Sequence, residues 1–292
     1  MTRQRQADVL LFTTTVLAAF GWIFSREAIS GMPPFLFVGA RFVVATLVLL
    51  PFNRGVRLER SQWRGSVISG LWFALQLCLW THSLSTARSL GEGAFIVSLS
   101  MLFVPLTAWV MARVRPARAY WECLPIAVAG LALLSLQVPV DFHPSQGWWL
   151  LTAVAQSIWF VYTSRQASGV PAIPLTTVQL SVTAVVALTL SAFTESWTQP
   201  IALSTIGWLL ASALIATSLR FAIQIQGQKH AAVASAAFIM MLEPVFTAIA
   251  AALWFGEQLP VQKILGGALI LFAQFWYRWR LWRQAPPPLG PH

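Results

Sequence analysis

The sequence predicts an all-α membrane protein, with ten transmembrane helices arranged as two inverted five-helix repeats. Three observations predict it: long apolar stretches along the whole chain, the sorting of basic residues between alternate loops, and a weak internal duplication. Hydrophobic residues make up 57% of the 292 residues and charged residues only 10%, with a mean hydropathy of +0.69. A single soluble core could not bury that much apolar surface, so lipid must solvate most of it.

Each apolar stretch is close to the roughly 20 residues that a helix needs to cross a bilayer. The stretches lack the strict alternation of a membrane β-strand, and a helix satisfies its own backbone hydrogen bonds in lipid. Proline, glycine and asparagine mark the breaks between them. The predicted spans are 8–30, 33–52, 64–84, 90–112, 120–138, 147–165, 173–193, 204–226, 231–254 and 260–282.

The basic residues fall mostly on one side of this predicted topology. With both termini on the same side, 15 of the 19 lysine and arginine residues lie on that side. The other four are Arg26, Arg41, Arg88 and Lys263. The positive-inside rule then places both termini in the cytoplasm. Because a wrong number of spans would scramble this sorting, the charges support ten spans separately from hydropathy.

The composition also argues against several functions. The net charge of +10 lies in short loops and a tail, so it indicates topology and not nucleic-acid binding. Cys78 and Cys123 fall in apolar stretches and predict no disulfide framework. The sequence contains no zinc-protease motif, no P-loop and no nucleophile elbow. We therefore expect no catalysis, no cofactor and no resident metal ion.

The second half of the chain repeats features of the first. Residues 25–33, at the end of the first span, resemble residues 164–171 at the end of the sixth. The fourth and ninth spans share an Ala-Phe-Ile tripeptide, and each contains an internal proline, Pro105 or Pro244. Because five spans per repeat is an odd number, the second repeat must cross the membrane in the opposite sense, as in many secondary transporters. The predicted units are residues 1–140, residues 141–284 and a disordered tail, residues 285–292.

Short motifs in both halves resemble a known family. The second half contains Leu-Glu-Pro-Val-Phe-Thr-Ala at 242–248, Trp-Phe-Gly-Glu-Gln-Leu at 254–259 and Gly-Gly-Ala-Leu-Ile-Leu at 266–271. With residues 21–24 and 33–42 of the first half, they resemble the EamA repeats of the drug/metabolite transporter superfamily, over essentially the whole chain. The first half departs from the pattern, with an Arg-Pro pair where Gly-Glu often stands.

The resemblance implies ten helices, a location in the bacterial inner membrane and export of small metabolites. Among members of the superfamily, the chain looks most like the YddG-type amino-acid exporters, which handle aromatic and other amino acids. The resemblance does not fix the substrate.

Ionisable residues at membrane depth are candidate functional residues, because each costs at least ~2.5 kcal/mol at a helix centre. Glu243 lies near the middle of the ninth span, beside Pro244, which removes a backbone hydrogen bond and can break the helix. It is either a proton or substrate-ammonium site, or a structural carboxylate held by hydroxyls or an arginine. Arg41 could pair with Glu243, face a substrate carboxylate or form a helix-packing ion pair. We expect Arg220, near the predicted end of the eighth span, to snorkel.

Several helix faces combine aromatic rings with amides, as suits a cavity for an amphipathic solute. Trp72, Gln76 and Trp80 share one face of the third span by their i, i+4, i+8 spacing. Many of the fifteen tryptophans must instead face lipid or anchor the interfaces. The resemblance favours Trp22, Trp80 and Trp159 as binding residues, because they lie on helices that line the pore in that family. The predicted substrate-binding residues are Trp22, Arg41, Gln76, Trp80, Ser98, Met101, Trp159, Gln179, Gln224 and Glu243.

We therefore expect a secondary transporter that exports small amphipathic metabolites, foremost aromatic and other neutral amino acids, by alternating access. Its partners are a small-molecule substrate and the lipid bilayer. Facilitated diffusion and proton exchange both stay open as modes, so protons are an optional coupling ion. The alternatives are export of another metabolite or a drug, a membrane-embedded enzyme, or a non-transporting receptor. The inverted repeat argues against the last two, since alternating access explains it.

Overall fold

The computed structural model describes residues 3–53, 55–86, 90–135, 145–197, 200–256 and 260–284. Within these residues the chain forms helices joined by short loops, and it forms no strand. A 3-10 turn, Leu50–Asn53, extends α2, and a π-helix, Leu214–Leu219, joins α8 to α9. The α-helices are α1 (Arg3–Ile29), α2 (Pro34–Leu49), α3 (Arg60–Thr86), α4 (Leu90–Ala112), α5 (Arg118–Ser135), α6 (Ser145–Gly169), α7 (Ala172–Thr194), α8 (Leu203–Ala213), α9 (Arg220–His230), α10 (Val233–Met240), α11 (Glu243–Phe255) and α12 (Val261–Gln284). The predicted tail lies outside the described residues.

Five helical segments are long and apolar enough to cross a membrane. They are Arg3–Ile29, Pro34–Asn53, Ala172–Thr194, Leu203–His230 and Val233–Phe255. These segments make the protein a multi-pass membrane protein. The remaining predicted spans coincide with α3, α4, α5, α6 and α12, and the count of ten spans stays a prediction.

Close approach of small residues holds the helix pairs together, as is common in membranes. The pairs with extensive contact include α2 with α7, α5 with α12, α3 with α6 and α1 with α9. A Cβ added at Gly39 of α2 would lie 2.5 Å from a methyl carbon of Leu188 on α7. A Cβ at Gly130 of α5 would lie 3.0 Å from the carbonyl oxygen of Gly266 on α12. A side chain at either glycine would therefore push its pair apart.

The helices α2 and α7 run antiparallel, and polar groups join them at both ends. The Glu195 carboxylate, at the end of α7, accepts hydrogen bonds from the amides of Phe35 (2.7 Å) and Leu36 (2.9 Å) at the start of α2. At the opposite end, the Asn53 side-chain amide donates to the Thr177 hydroxyl at 2.8 Å. A carboxylate in this position satisfies amides that the first helical turn leaves without a partner.

The helices α5 and α12 are also antiparallel. Glu122, in the second turn of α5, forms an ion pair with Arg280 near the end of α12. Further into the pair, the rings of Phe238 on α10 and Tyr277 on α12 stack with centroids 3.9 Å apart. The Tyr120 hydroxyl of α5 donates to the Leu102 carbonyl of α4 at 2.7 Å, which ties α4 to the same corner of the bundle.

The eighth span differs from the prediction of one helix over 204–226. The chain forms α8, then a π-helix, then α9, and continues to His230. Within the π-helix, the hydroxyls of Thr217 and Ser218 donate to the carbonyls five residues earlier, Ser212 and Ala213, at 2.9 and 2.8 Å. Local π-geometry is rare and occurs often at functional sites.

The ninth span is broken, as Pro244 suggested. Residues 241–242 form a turn between α10 and α11, and Glu243 begins the second segment. Proline is tolerated there because the first helical turn needs no amide donor from it. Pro105 behaves differently and stays inside the continuous helix α4.

Candidate substrate site

Arg41 of α2 reaches across to α1 and to the π-helix. Its Nε donates a short hydrogen bond to the Thr217 hydroxyl, and its Nη1 donates to the Ser25 hydroxyl at 3.1 Å. Its guanidinium also lies near the rings of Phe37 and Phe42, with the carbon 5.8 and 5.3 Å from their centroids. Arg41 does not pair with Glu243, so that alternative for its role is wrong in this conformation.

Glu243 pairs instead with Arg220. One Nη of Arg220 lies 3.0 Å from a carboxylate oxygen of Glu243, and both side chains are mostly buried, at 17% and 23% exposure. The expectation that Arg220 snorkels is wrong, because the helix that carries it continues ten residues beyond it to His230. At a rise of about 1.5 Å per residue, Arg220 lies roughly 15 Å from that end.

Four aromatic rings pack together beside these charges. Trp159 of α6 stacks on Phe73 of α3 with centroids 4.6 Å apart, and lies edge-to-face with Phe221 of α9 at 6.2 Å. Phe42 of α2 contacts both phenylalanines, at 5.6 and 6.4 Å. All four side chains are buried. We call Phe42, Phe73, Trp159 and Phe221 the aromatic cluster.

Several polar atoms around the aromatic cluster are buried without a hydrogen-bond partner among the described residues. They include the Trp159 Nε1, the Gln156 Oε1 and the Gln224 Oε1. Gln224 follows Phe221 by three residues on α9, so the two share a helix face, and α9 packs against α6. Buried polar atoms normally have partners, so these atoms retain a capacity to bind a polar solute.

Gln179 serves a different purpose. Its amide nitrogen donates to the hydroxyls of Ser69 (2.6 Å) and Thr163 (3.1 Å), which also bond each other at 2.7 Å. All three side chains are buried. This network ties α3, α6 and α7 together, and the amide donor of Gln179 is already engaged.

Among the described residues, no hydrogen bond or ring contact joins the remaining predicted site residues to Arg41 or Glu243. Trp22, which is exposed, meets the half-buried Trp80 edge-to-face at 5.8 Å. Gln76 is buried on α3, Met101 belongs to the main hydrophobic core, and Ser98 is half-buried on α4. The structure thus places Arg41 beside Phe42 and Trp159 beside Phe73, with the two phenylalanines in contact, and it joins Trp22 to Trp80.

One small cavity lies between α2, α3 and α7, with a volume of about 10 Å³. It is lined by apolar side chains and by Cys78, Thr81 and Thr183. That space holds about one water molecule. This cavity is too small for a metabolite.

Sequence reasoning did not identify the residues that position Arg41. Ser25 and Thr217 were hidden among the many hydroxyls of the apolar spans, and Phe73 and Phe221 carried no polar signal. A usable signal existed in the grouping of Ser212, Thr217 and Ser218, because three hydroxyls in one apolar span favour interhelical hydrogen bonds.

The fold and interior define a multi-pass helical membrane protein with partly unsatisfied polar groups at depth, a construction typical of membrane carriers. Residues 5–136 and residues 145–278 each match the EamA-like transporter family. The chain belongs to this family, which is the family that its motifs resemble, and it is a membrane transporter.

A solved structure described as "Crystal structure of protein" is similar to this chain with a TM-score of 0.80 and 20% sequence identity. The likeness covers 93% of this chain and 98% of the other, and at that identity it shows the fold alone. Among curated proteins, none matches the sequence.

Proposed function

We propose that the protein is a secondary transporter that exports small amphipathic metabolites, foremost aromatic and other neutral amino acids, by alternating access. The observation that carries this proposal is a correspondence between the helix pairs. If spans one to five are equated with spans six to ten, the pair α3–α6 corresponds to α1–α9, and α4–α6 corresponds to α1–α11. The pair α3–α7 likewise corresponds to α2–α8.

Two further pairs, α2–α7 and α5–α12, join a span to its own counterpart, and both are antiparallel. A helix that lies antiparallel to its counterpart is expected when a two-fold axis lies in the membrane plane. This pattern supports ten spans in two inverted repeats, over residues 1–140 and 141–284. It also gives the two halves a way to rock against each other around a fixed site.

The charge distribution supports an orientation with both termini cytoplasmic, and the family supports the bacterial inner membrane. Reporters fused after residues 56, 141 and 196 are expected to report inside, outside and outside. Residues 56, 141 and 196 follow the second, fifth and seventh predicted spans. Any other order of signals would therefore contradict the inverted repeat.

The interior suits an amphipathic solute. The aromatic cluster offers an apolar wall, and Trp159 Nε1 and Gln224 Oε1 offer one buried donor and one buried acceptor without partners among the described residues. A mostly apolar site with a few placed polar groups is the usual form of a small-molecule site. This combination, together with the YddG-like motifs, supports neutral and aromatic amino acids. Export of another metabolite or a drug is the alternative.

We propose facilitated or weakly coupled transport. Glu243 already has a cationic partner in Arg220, so it needs no proton to have its charge compensated. An imposed proton gradient across liposomes should therefore drive little uphill uptake in the wild type. Uphill uptake that is lost on Glu243→Gln, with downhill exchange retained, would show proton coupling instead.

The direct test is counterflow in proteoliposomes that contain the full-length protein. We expect preloaded phenylalanine or leucine to accelerate uptake of the labelled amino acid above the rate in protein-free liposomes. A conservative change at the centre, Trp159→Phe, should slow counterflow more than it lowers the melting temperature, because it removes the indole donor and keeps a ring. No stimulation by any neutral amino acid, with stimulation by a lipophilic drug, would establish the alternative.

A further inference from the structure

The charges around the aromatic cluster do not balance. Two arginines, Arg41 and Arg220, lie close enough to repel each other, and among the described residues Glu243 forms an ion pair with Arg220 alone. The partners of Arg41 are hydroxyls and aromatic rings, which carry no formal charge. Among the described residues, therefore, one cation of this group has no anionic partner. Such a charge at membrane depth is costly and indicates a function.

The two hydroxyls beside Arg41 hold it by accepting hydrogen bonds. Ser25 donates its own proton to the Gly21 carbonyl at 2.6 Å, and Thr217 donates to the Ser212 carbonyl at 2.9 Å. Their oxygens can then only accept from the guanidinium. These bonds use the Nε and one N–H of Nη1, and the other N–H groups of Arg41 have no acceptor among the described residues.

The π-helix sets this arrangement. In it, the Thr217 hydroxyl donates to the carbonyl five residues back and its oxygen meets the Arg41 Nε. The guanidinium is therefore held by protein groups at Nε and Nη1, and Nη2 and one N–H of Nη1 retain their donors. A planar guanidinium with free donors matches a carboxylate, which accepts two parallel N–H bonds.

We propose that Arg41 binds the carboxylate of the transported solute, with the aromatic cluster taking the apolar part. The two elements adjoin, because the Arg41 guanidinium carbon lies 5.3 Å from the Phe42 centroid, and Phe42 contacts Phe73 and Phe221. This inference rests on the proposed transport function and adds a requirement to it. Solutes that lack a carboxylate, or carry only an ammonium group, are poor substrates.

The test measures counterflow and competition with solutes matched in ring and chain length: phenylalanine, 3-phenylpropionate, phenethylamine and phenylalanine amide. In the wild type, the two carboxylates should compete with labelled phenylalanine, and the amine and amide should not. Arg41→Gln should weaken phenylalanine binding by at least about tenfold, since a hydrogen bond to a charged group contributes that much. Arg41→Lys should fall between, because it keeps the charge and loses the planar fork.

The variant is expected to fold, because Ser25 and Thr217 keep their carbonyl acceptors when the guanidinium is removed. The matched control is Arg26→Gln, which removes an exposed arginine that lies over the Phe255 ring and should leave the affinity unchanged. If Arg41→Gln does not fold, the wild-type panel and Arg41→Lys still decide the question.

Wild-type competition by the amine or amide as strong as by phenylalanine would overturn the carboxylate requirement, while transport itself would stand. An unchanged phenylalanine affinity in folded Arg41→Gln or in Arg41→Lys would overturn the role of Arg41. If no solute of the panel exceeds protein-free liposomes, the proposed amino-acid function fails, and this inference fails with it.

Discussion

The third and fourth spans are continuous helices, whereas the eighth and ninth, their proposed counterparts, are interrupted. The fourth and ninth spans both contain a proline, yet only Pro244 lies at a break. The difference comes from the partners of the neighbouring residues. Glu243 turns toward Arg220 on α9, while Val104 in the corresponding place is fully buried in the core. A proline thus permits a break in a membrane helix, and a polar partner stabilises it.

The two helix interruptions of the second half lie beside Arg41 and Arg220. The π-helix of the eighth span carries the hydroxyl that holds Arg41, and the break in the ninth begins with the carboxylate that holds Arg220. Irregular backbone at membrane depth is tolerated where protein groups surround it, and in transporters it forms binding sites. The second half therefore supplies both interruptions together with Trp159 and Phe221, and the first half supplies Arg41, Phe42 and Phe73.

The largest effect is expected from separating the charged pair. Glu243→Ala should lower the free energy of unfolding by about 3 kcal/mol, because it leaves the mostly buried Arg220 without its partner. The double variant Arg220→Gln, Glu243→Gln should recover most of that loss, since two amides can bond each other. Melting in detergent measures both. A double variant as unstable as Glu243→Ala would mean that the break does not depend on the ion pair.

A smaller effect on stability is expected from the prolines of the fourth and ninth spans. Pro105→Ala should leave stability unchanged or raise it by about 1 kcal/mol, because α4 is already helical there and gains one backbone hydrogen bond. Pro244→Ala should change stability little, since proline fits the first turn of α11.

Transport distinguishes the two proline variants more sharply than stability does. Pro244→Ala should slow counterflow several-fold, because an alanine lets α10 and α11 join, while Pro105→Ala should leave the rate near that of the wild type. Equal rates in the two variants would remove the functional difference between the halves. Melting temperatures measured beside the rates exclude misfolding as the cause.

Most helix positions followed from the sequence, because hydropathy and charge sorting act locally. The break beside Pro244 was also predictable, since a proline acts on its own helix. The π-helix was not, because its extra residue is stabilised by contacts with α1 and α2. The place of Arg220 inside its span was missed because the amides, lysine and histidine among residues 224–230 suggested an earlier helix end than His230.

The central contacts were only partly predictable. Trp159 and Arg41 were identified by type and depth, but their neighbours come from distant parts of the chain. Ser25 lies 16 residues from Arg41, and Thr217 lies 176 residues away. Hydropathy cannot pair such positions, and neither can an internal repeat, because the two partners are not counterparts in the repeat.

The smallest expected effect compares the two ends of the α2–α7 pair. Glu195→Gln should lower the free energy of unfolding by about 1 kcal/mol, because the carboxylate accepts from two amides of the first turn of α2 and opposes the positive end of its dipole. Asn53→Ala should cost less, because it removes one neutral hydrogen bond between the helices, to Thr177. Hydrogen exchange at Phe35 and Leu36 should rise in Glu195→Gln and stay unchanged in Asn53→Ala. Faster exchange at these amides in both variants would mean that the pair opens as one unit, and that the carboxylate cap does not hold its end separately.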